Sequence, residues 1–336
     1  MKQISFVVPC YNSANYMRHC IDSLLIGGDD VEIIIIDDGS VDDTPRIADE
    51  YAKKYPNIVK VHHQKNGGHG EGINQGLKIA KGRYFKVIDS DDWADLKSYK
   101  TLLKKIKKID ADVIIMNYRY THPDASLDST INFSNVFPQD KEVTWKDTKH
   151  FRVTQFLSLH SMMYKKTVLD ASHIALPKHT FYEDNLFIYL PLINTKTIYY
   201  MDMDFYKYFI GRDDQSVQEP QLIKRSAQQV LIAELVCKAY DLDEVKKTDK
   251  KLYKIMRREC SLLVALGVVF SRLSETDDGE KQYKDMWDTI KNDNPKLFKY
   301  LRYHSTLASW ASLPGKVGRA IVIGGYRGAH FLVKFN

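Results

Sequence analysis

Three carboxylates stand within four residues at Asp89-Ser90-Asp91-Asp92, directly behind a short apolar run at 84–88. So many like charges in one turn repel strongly unless a cation sits among them. A hard divalent ion suits the arrangement, held by one or two carboxylates and completed by phosphate oxygens and water. The competing reading is helix capping, with Asp91 or Asp92 serving a helix that begins near Ala94.

Other clusters invite similar chemistry. Asp37-Asp38-Gly39-Ser40 places a carboxylate where it can accept hydrogen bonds from a base N–H or a ribose hydroxyl, though Asp-Gly-Ser is also strong turn chemistry. Asn66-Gly67-Gly68-His69-Gly70-Glu71-Gly72 is a glycine-rich turn opening a helix, where backbone can approach a phosphate. It is neither GxGxxG nor a Walker loop, and a purely structural tight turn is the plain alternative. Glu183-Asp184 begins an apolar helix; acids there suit the helix dipole, or one of them serves as a general base for an acceptor hydroxyl. Arg212 and Lys207 offer positive charge for a leaving diphosphate, or are solvated surface groups.

These clusters need a scaffold that gathers them. Apolar runs at 4–8 (stopped by Pro9), 31–36, 59–62 and 84–88 alternate with helical patterns near 15–27, 44–55 and 70–81. Strands apolar throughout and separated by helices predict a mostly parallel sheet with helices on both faces. In such sheets ligands bind beyond the carboxyl ends of the strands, which is where Pro9-Cys10-Tyr11-Asn12, Asp37–Ser40 and Asp89–Asp92 fall. A fifth strand is predicted at 112–118, an irregular pocket-shaping region at 119–180, a helix at 181–193, and strands at 197–201 and 205–210. Beyond 216 the pattern is helical, with amphipathic stretches near 221–240, 246–272 and 280–291. We expect one domain over 1–215, with a nucleotide-sugar half at 1–95 and an acceptor half at 96–215, and a helical region at 216–336.

Taken in order, these motifs resemble the family-2 inverting glycosyltransferases with the GT-A fold, an α/β, Rossmann-like architecture. The matching text is Val7-Val8-Pro9-Cys10-Tyr11-Asn12, Ile36-Asp37-Asp38-Gly39-Ser40, Asn66-x-Gly68 with Asn74-x-Gly76, Ala80-x-Gly82-x-Tyr84, and Asp89-Ser90-Asp91-Asp92. The resemblance implies a nucleotide-sugar donor, most simply a UDP-sugar, and a glycan, glycolipid or glycoprotein acceptor, as in cell-surface polysaccharide synthesis. Pro9, Tyr11 and Asn12 would shape the nucleotide pocket, with Tyr11 near the base. Asp38 or Asp37 would contact uracil or ribose, Asp89 and Ser90 would lie near the ribose, and Asp92 would orient the donor sugar. Asp91, with Asp89, would ligate Mn²⁺ or Mg²⁺, and Asp184 would be the base. Gly68 would border the donor. Relatives carry an arginine where this chain has Ile73, so the resemblance leaves that charge to Lys86, Lys65 or His69.

Bulk composition narrows the field further. The 336 residues carry a net charge of +6, and Lys291 to Asn336 hold eight Lys or Arg against one acid, so the basic excess lies in the tail. A basic tail bearing Trp310, Leu313, Ile321, Val322, Tyr326 and Phe331 suggests a peripheral site on an anionic membrane surface, or a segment packed back on the protein. A predicted site not lined with positive charge argues against nucleic acid. Four cysteines without zinc spacing, no leader-like start and no run of about 20 apolar residues predict a cytoplasmic protein. Two other functions compete: a non-catalytic sugar- or nucleotide-binding subunit, which has no need of both Asp91 and Asp184, and a nucleotidyltransferase, which would carry a basic glycine-rich loop after the first strand.

Overall fold

A computed structural model describes residues 1–152, 155–211 and 219–333, with side chains described to residue 328. The chain divides into two compact units, Met1–Gly211 and Arg212–Asn336.

The first unit is a curled sheet with helices around it. β1 (Ile4–Cys10) and β2 (Val31–Asp37) are buried at every position, as strands covered on both faces must be. α1 (Met17–Leu24), α2 (Thr44–Lys54) and α3 (His69–Ile79) alternate with them and with β3 (Val59–His63) and β4 (Tyr84–Val87). β1 lies parallel to both β2 and β4, and β2 lies parallel to β3. β1 does not stop at Pro9 as the sequence predicts. Val7 already accepts the N–H of Ile88, and β4 pairs no further than Val7, so the N–H that Pro9 lacks points where no strand needs it.

The second half departs more from the sequence reading. β5 (Trp93–Ala94) is followed by α4 (Leu96–Lys105), then β6 (Val113–Thr121), β7 (Ser129–Ile131), β8 (Glu142–Val143), β9 (Met162–Lys165), α5 (Lys166–Ala171), α6 (Asp184–Tyr189) and β10 (Ile198–Phe209). The sheet order is β3-β2-β1-β4-β9-β6-β10-β5. β9, antiparallel to both neighbours, wedges between β4 and β6 inside the stretch read as irregular. Four residues are too few to display a period. The two strands expected at 197–201 and 205–210 are one strand, parallel to β6 and broken in register between Met201 and Tyr206. That irregularity restores the pairing of Tyr206 with Tyr118 and of Tyr208 with Tyr120.

The aspartate cluster is not a helix cap. Trp93-Ala94 intervenes as a strand, and Asp95 caps α4 by accepting the Ser98 N–H at 2.9 Å.

The second unit is helical throughout its described part: α7 (Glu219–Lys224), α8 (Ser226–Lys238), α9 (Leu242–Thr248), α10 (Lys250–Leu273), α11 (Asp277–Asp293), α12 (Pro295–Tyr303), α13 (Thr306–Ala311) and α14 (Gly315–Val333). Arg272 of α10 is buried, lies over the Tyr283 ring at 3.9 Å, and donates to the Leu313 carbonyl at 2.8 Å. It thereby fixes the entry to α14. No helix among the described residues is long and apolar enough to cross a membrane.

Candidate active site

The carboxyl ends of β1, β2 and β4 meet, and short polar bonds tie them together. The Asn12 N–H donates to Ser40 Oγ at 3.0 Å, and Asn12 Oδ1 accepts the Val41 N–H at 3.0 Å. Ser13 and Ser90 share a hydroxyl contact at 2.7 Å, joining the first loop to the aspartate cluster. Tyr11 is 56% exposed at the rim, while Pro9 is buried with its ring against Gly72.

Asp37 and Asp38 are both buried and both occupied. Asp37 accepts the Ser40 N–H at 3.1 Å and meets His63 Nδ1 at 2.8 Å. Asp38 accepts the N–H groups of Gly67 and Gly68, each at 2.8 Å, and the Gln64 amide at 2.7 Å. This corrects one expectation: the Gly68 N–H offered to a phosphate is spent on Asp38. Lys86 needs a similar correction. It is fully buried and donates to the carbonyls of Leu159, His160 and Met162 at 3.2, 2.8 and 3.1 Å, so it does not supply the missing arginine's charge. Burial pushes its ammonium down to about 7. Arg212 lies outside the described residues; Lys207 ion-pairs with Asp95 at 3.6 Å.

Asp89 stands at the centre. Burial alone would raise its carboxyl, but His160 and His69 hold it well below the usual range. His69 Nε2 lies 3.0 Å from one oxygen and His160 Nε2 3.7 Å from the other. The His160 ring packs between Tyr206 and Tyr208, with centroids 4.6 and 4.7 Å away. Tyr206 accepts the Asp89 N–H at 3.1 Å and donates to Asp92 at 2.6 Å, while the Phe209 N–H donates to the other Asp92 oxygen at 2.8 Å. Burial, then the charges of Asp91 and Asp89, push the Asp92 carboxyl well up. Asp91 is half-buried at the turn.

Asp184 completes the set. It is half-buried at the first position of α6, and burial with the neighbouring Glu183 charge pushes its carboxyl up to about 7. The turn before it holds Tyr182 at φ +67°, a left-handed conformation that a bulky residue rarely adopts. Glu183 is buried and meets His69 Nδ1 at 2.7 Å, so a single imidazole spans from the aspartate cluster to the residue beside Asp184.

The donor set also passes a test for a divalent ion. One oxygen each from Asp89 and Asp92 and a His160 nitrogen lie within 4.8 Å of one another. The two carboxylate oxygens suit Mn²⁺ or Mg²⁺. Sequence reasoning assigned His160, Tyr206 and Tyr208 no place in this site. The spacing of Tyr206 and Tyr208 on one face of a strand was the only signal available; His160 sits in a stretch without a motif.

The fold is that of the GT-A type. Residues 5–169 match the model of glycosyl transferase family 2, which places that part of the chain in the family. EpsH of Bacillus subtilis strain 168, which carries a provisional glycosyltransferase name, is 31% identical over 62% of this chain and 60% of its own length. The poly(ribitol-phosphate) beta-glucosyltransferase of Bacillus spizizenii is 30% identical over 73% of this chain, which spans only 38% of that protein. Among solved structures, residues 1–349 of S. aureus TarS in complex with UDP-GlcNAc share the fold at a TM-score of 0.68, with 21% identity over 97% of this chain and 92% of that one.

Proposed function

We propose that this protein transfers a sugar from a UDP-linked donor to a hydroxyl of a cell-surface glycan acceptor, with inversion at the anomeric carbon. The observation that carries the reading is Asp184: an accessible carboxyl tuned to about 7, tied through Glu183 and His69 to the carboxylate cluster. A group with that tuning can hold and release a proton near neutral pH. The supporting likenesses are TarS, solved with UDP-GlcNAc, and a relative named for poly(ribitol-phosphate) glucosylation.

In this reading the Asp184 carboxylate takes the proton of the acceptor hydroxyl as its oxygen bonds to the anomeric carbon. The carbon–oxygen bond to the diphosphate breaks on the opposite face, and UDP leaves with the electron pair. Tyr11 offers a ring to the base, and Asp37 and Asp38 hold the floor of the nucleotide side. Asp89 and Asp91, with His160, would hold Mn²⁺ or Mg²⁺, which supplies positive charge to the departing diphosphate. Asp92 lies within reach of that set, and both its oxygens also accept hydrogen bonds from β10.

UDP with Mn²⁺ is expected to raise the melting temperature by several degrees at a concentration of about 100 Kd, as a ligand specific to the folded state must. UDP without a divalent ion is expected to shift it far less. Equal shifts with GDP, CDP and UDP would remove the uracil reading, and no shift with any nucleotide would remove the donor site.

The second unit carries the membrane reading. Val317, Ile321 and Trp310 are 75%, 50% and 45% exposed beside Lys316, while Val322 and Ile323 face inward. Apolar and aromatic groups standing out among basic residues suit a helix lying at an anionic lipid surface, and so a lipid-carried acceptor. Flotation with phosphatidylglycerol vesicles is expected to lose most bound protein when Val317 and Ile321 become Ser. Unchanged flotation would locate lipid binding elsewhere or remove it.

A further inference from the structure

The turn at 66–72 has hydrogen-bond partners on two sides. On the donor side, Asp38 holds the N–H groups of Gly67 and Gly68. On the other side, the segment leading to Asp184 docks against the same turn. The His179 N–H donates to the Gly67 carbonyl at 2.8 Å, and the Asn74 amide clasps the Leu176 backbone with bonds of 2.9 and 3.0 Å. The close fit explains two glycines. A Cβ on Gly68 would stand 2.9 Å from the His179 nitrogen, and one on Gly70 would stand 2.7 Å from Glu183 Cγ. Gly68 also has φ +86°, which favours glycine. Between these two docking points projects His69, with Nε2 at 3.0 Å from Asp89 and Nδ1 at 2.7 Å from Glu183.

We infer that His69 is the positioning residue that sets the base-bearing segment 176–184 against the donor-side carboxylate Asp89. The inference rests on Asp184 being the base. Both imidazole nitrogens face carboxylate oxygens, and neither is left for the sugar. His69 therefore acts through its two partners. Asp89 comes from the end of β4, and Glu183 lies at the head of α6. Phe85 of β4 also packs on Phe187 of α6, with ring centroids 5.9 Å apart, but that apolar contact lies in the core, and His69 is the polar link between Asp89 and the head of α6. A catalytic group displaced by an ångström loses much of its advantage, so the bridge matters for turnover more than for ligand affinity.

Asparagine and glutamine separate its two bonds. The amide nitrogen of Asn takes the place of Nδ1 and can keep the Glu183 bond; that of Gln takes the place of Nε2 and can keep the Asp89 bond. The test uses the full chain with Mn²⁺ and three readouts: UDP Kd by calorimetry, UDP release from the UDP-sugar turned over fastest, and hydrogen exchange of 182–187. His69→Ala is expected to lower turnover at saturating donor by about 30- to 100-fold, with UDP Kd within about threefold of wild type. Exchange in 182–187 is expected to quicken. His69→Asn and His69→Gln each keep one bond of the two, so each is expected to recover only part of the turnover and protection. Gly70→Ala, which pushes Glu183 away while keeping His69, should reproduce the turnover loss.

A His69→Ala turnover within threefold of wild type overturns the inference, as does a Kd loss that matches the turnover loss. Where no donor turns over, exchange alone decides, and unchanged exchange in 182–187 overturns it. Asp184→Asn, run beside these, isolates the underlying reading: if it retains wild-type turnover, the base assignment fails whatever His69 does.

Discussion

Asp184→Asn is expected to reduce sugar transfer by about 10³-fold while UDP affinity stays within about threefold. An amide of the same shape keeps the packing of α6 but cannot take a proton at neutral pH. The pH dependence makes the test sharper. Burial and the Glu183 charge raise the Asp184 carboxyl to about 7, so below that pH the group is protonated and inactive as a base. Wild-type turnover should climb tenfold per pH unit on the acid side and level off above about 7. In Asp184→Asn that limb should vanish, leaving a low, flat residue of activity. A limb that persists in the variant belongs to another group, and the base would then have to be sought elsewhere.

The second large effect is expected at the aspartate cluster. Asp91→Ala should abolish the Mn²⁺-dependent part of UDP stabilisation and lower turnover by about 10³-fold, the range that several kcal/mol of lost leaving-group stabilisation implies. Asp92→Asn should behave differently. Its oxygens accept from Tyr206 and from the Phe209 N–H, so the substitution strains the join between the aspartate turn and β10. It should lower the melting temperature and leave the Mn²⁺ requirement in place. Measuring UDP-induced stabilisation against Mn²⁺ concentration for both variants separates the roles. Loss of the Mn²⁺ response in Asp92→Asn with retention in Asp91→Ala would reverse them.

How much of this was legible in the sequence depended on how local the information was. β1 and β2 announce themselves because every position is buried, and the clusters behind β1, β2 and β4 follow from where such strands end. The aspartate cluster and Glu183-Asp184 could be singled out for the same reason: acids gathered at the end of an apolar run or the head of an apolar helix. His160 could not be, because its neighbourhood depends on β9 entering the sheet antiparallel between β4 and β6, a pairing distant in sequence. Asp38 and Lys86 share a trait that sequence does not show. Both are charged residues near a site, and sequence alone does not tell a charge that faces a ligand from one that satisfies backbone groups beneath it. Asp38 collects N–H groups, and Lys86 collects carbonyls. The boundary of β1 was misplaced because a proline was taken as a stop without asking which neighbour its nitrogen faced.

Lys86 has one more consequence. Its ammonium grips three carbonyls over 159–162, at the point where the chain returns to the sheet as β9 and delivers His160. The long excursion that leaves at the end of β6 is thus pinned at its returning foot by a core residue of a different strand. Such an anchor separates two demands on one segment. The excursion belongs to the proposed acceptor half, and the imidazole beside Asp89 keeps its own place, set by the Lys86 grip.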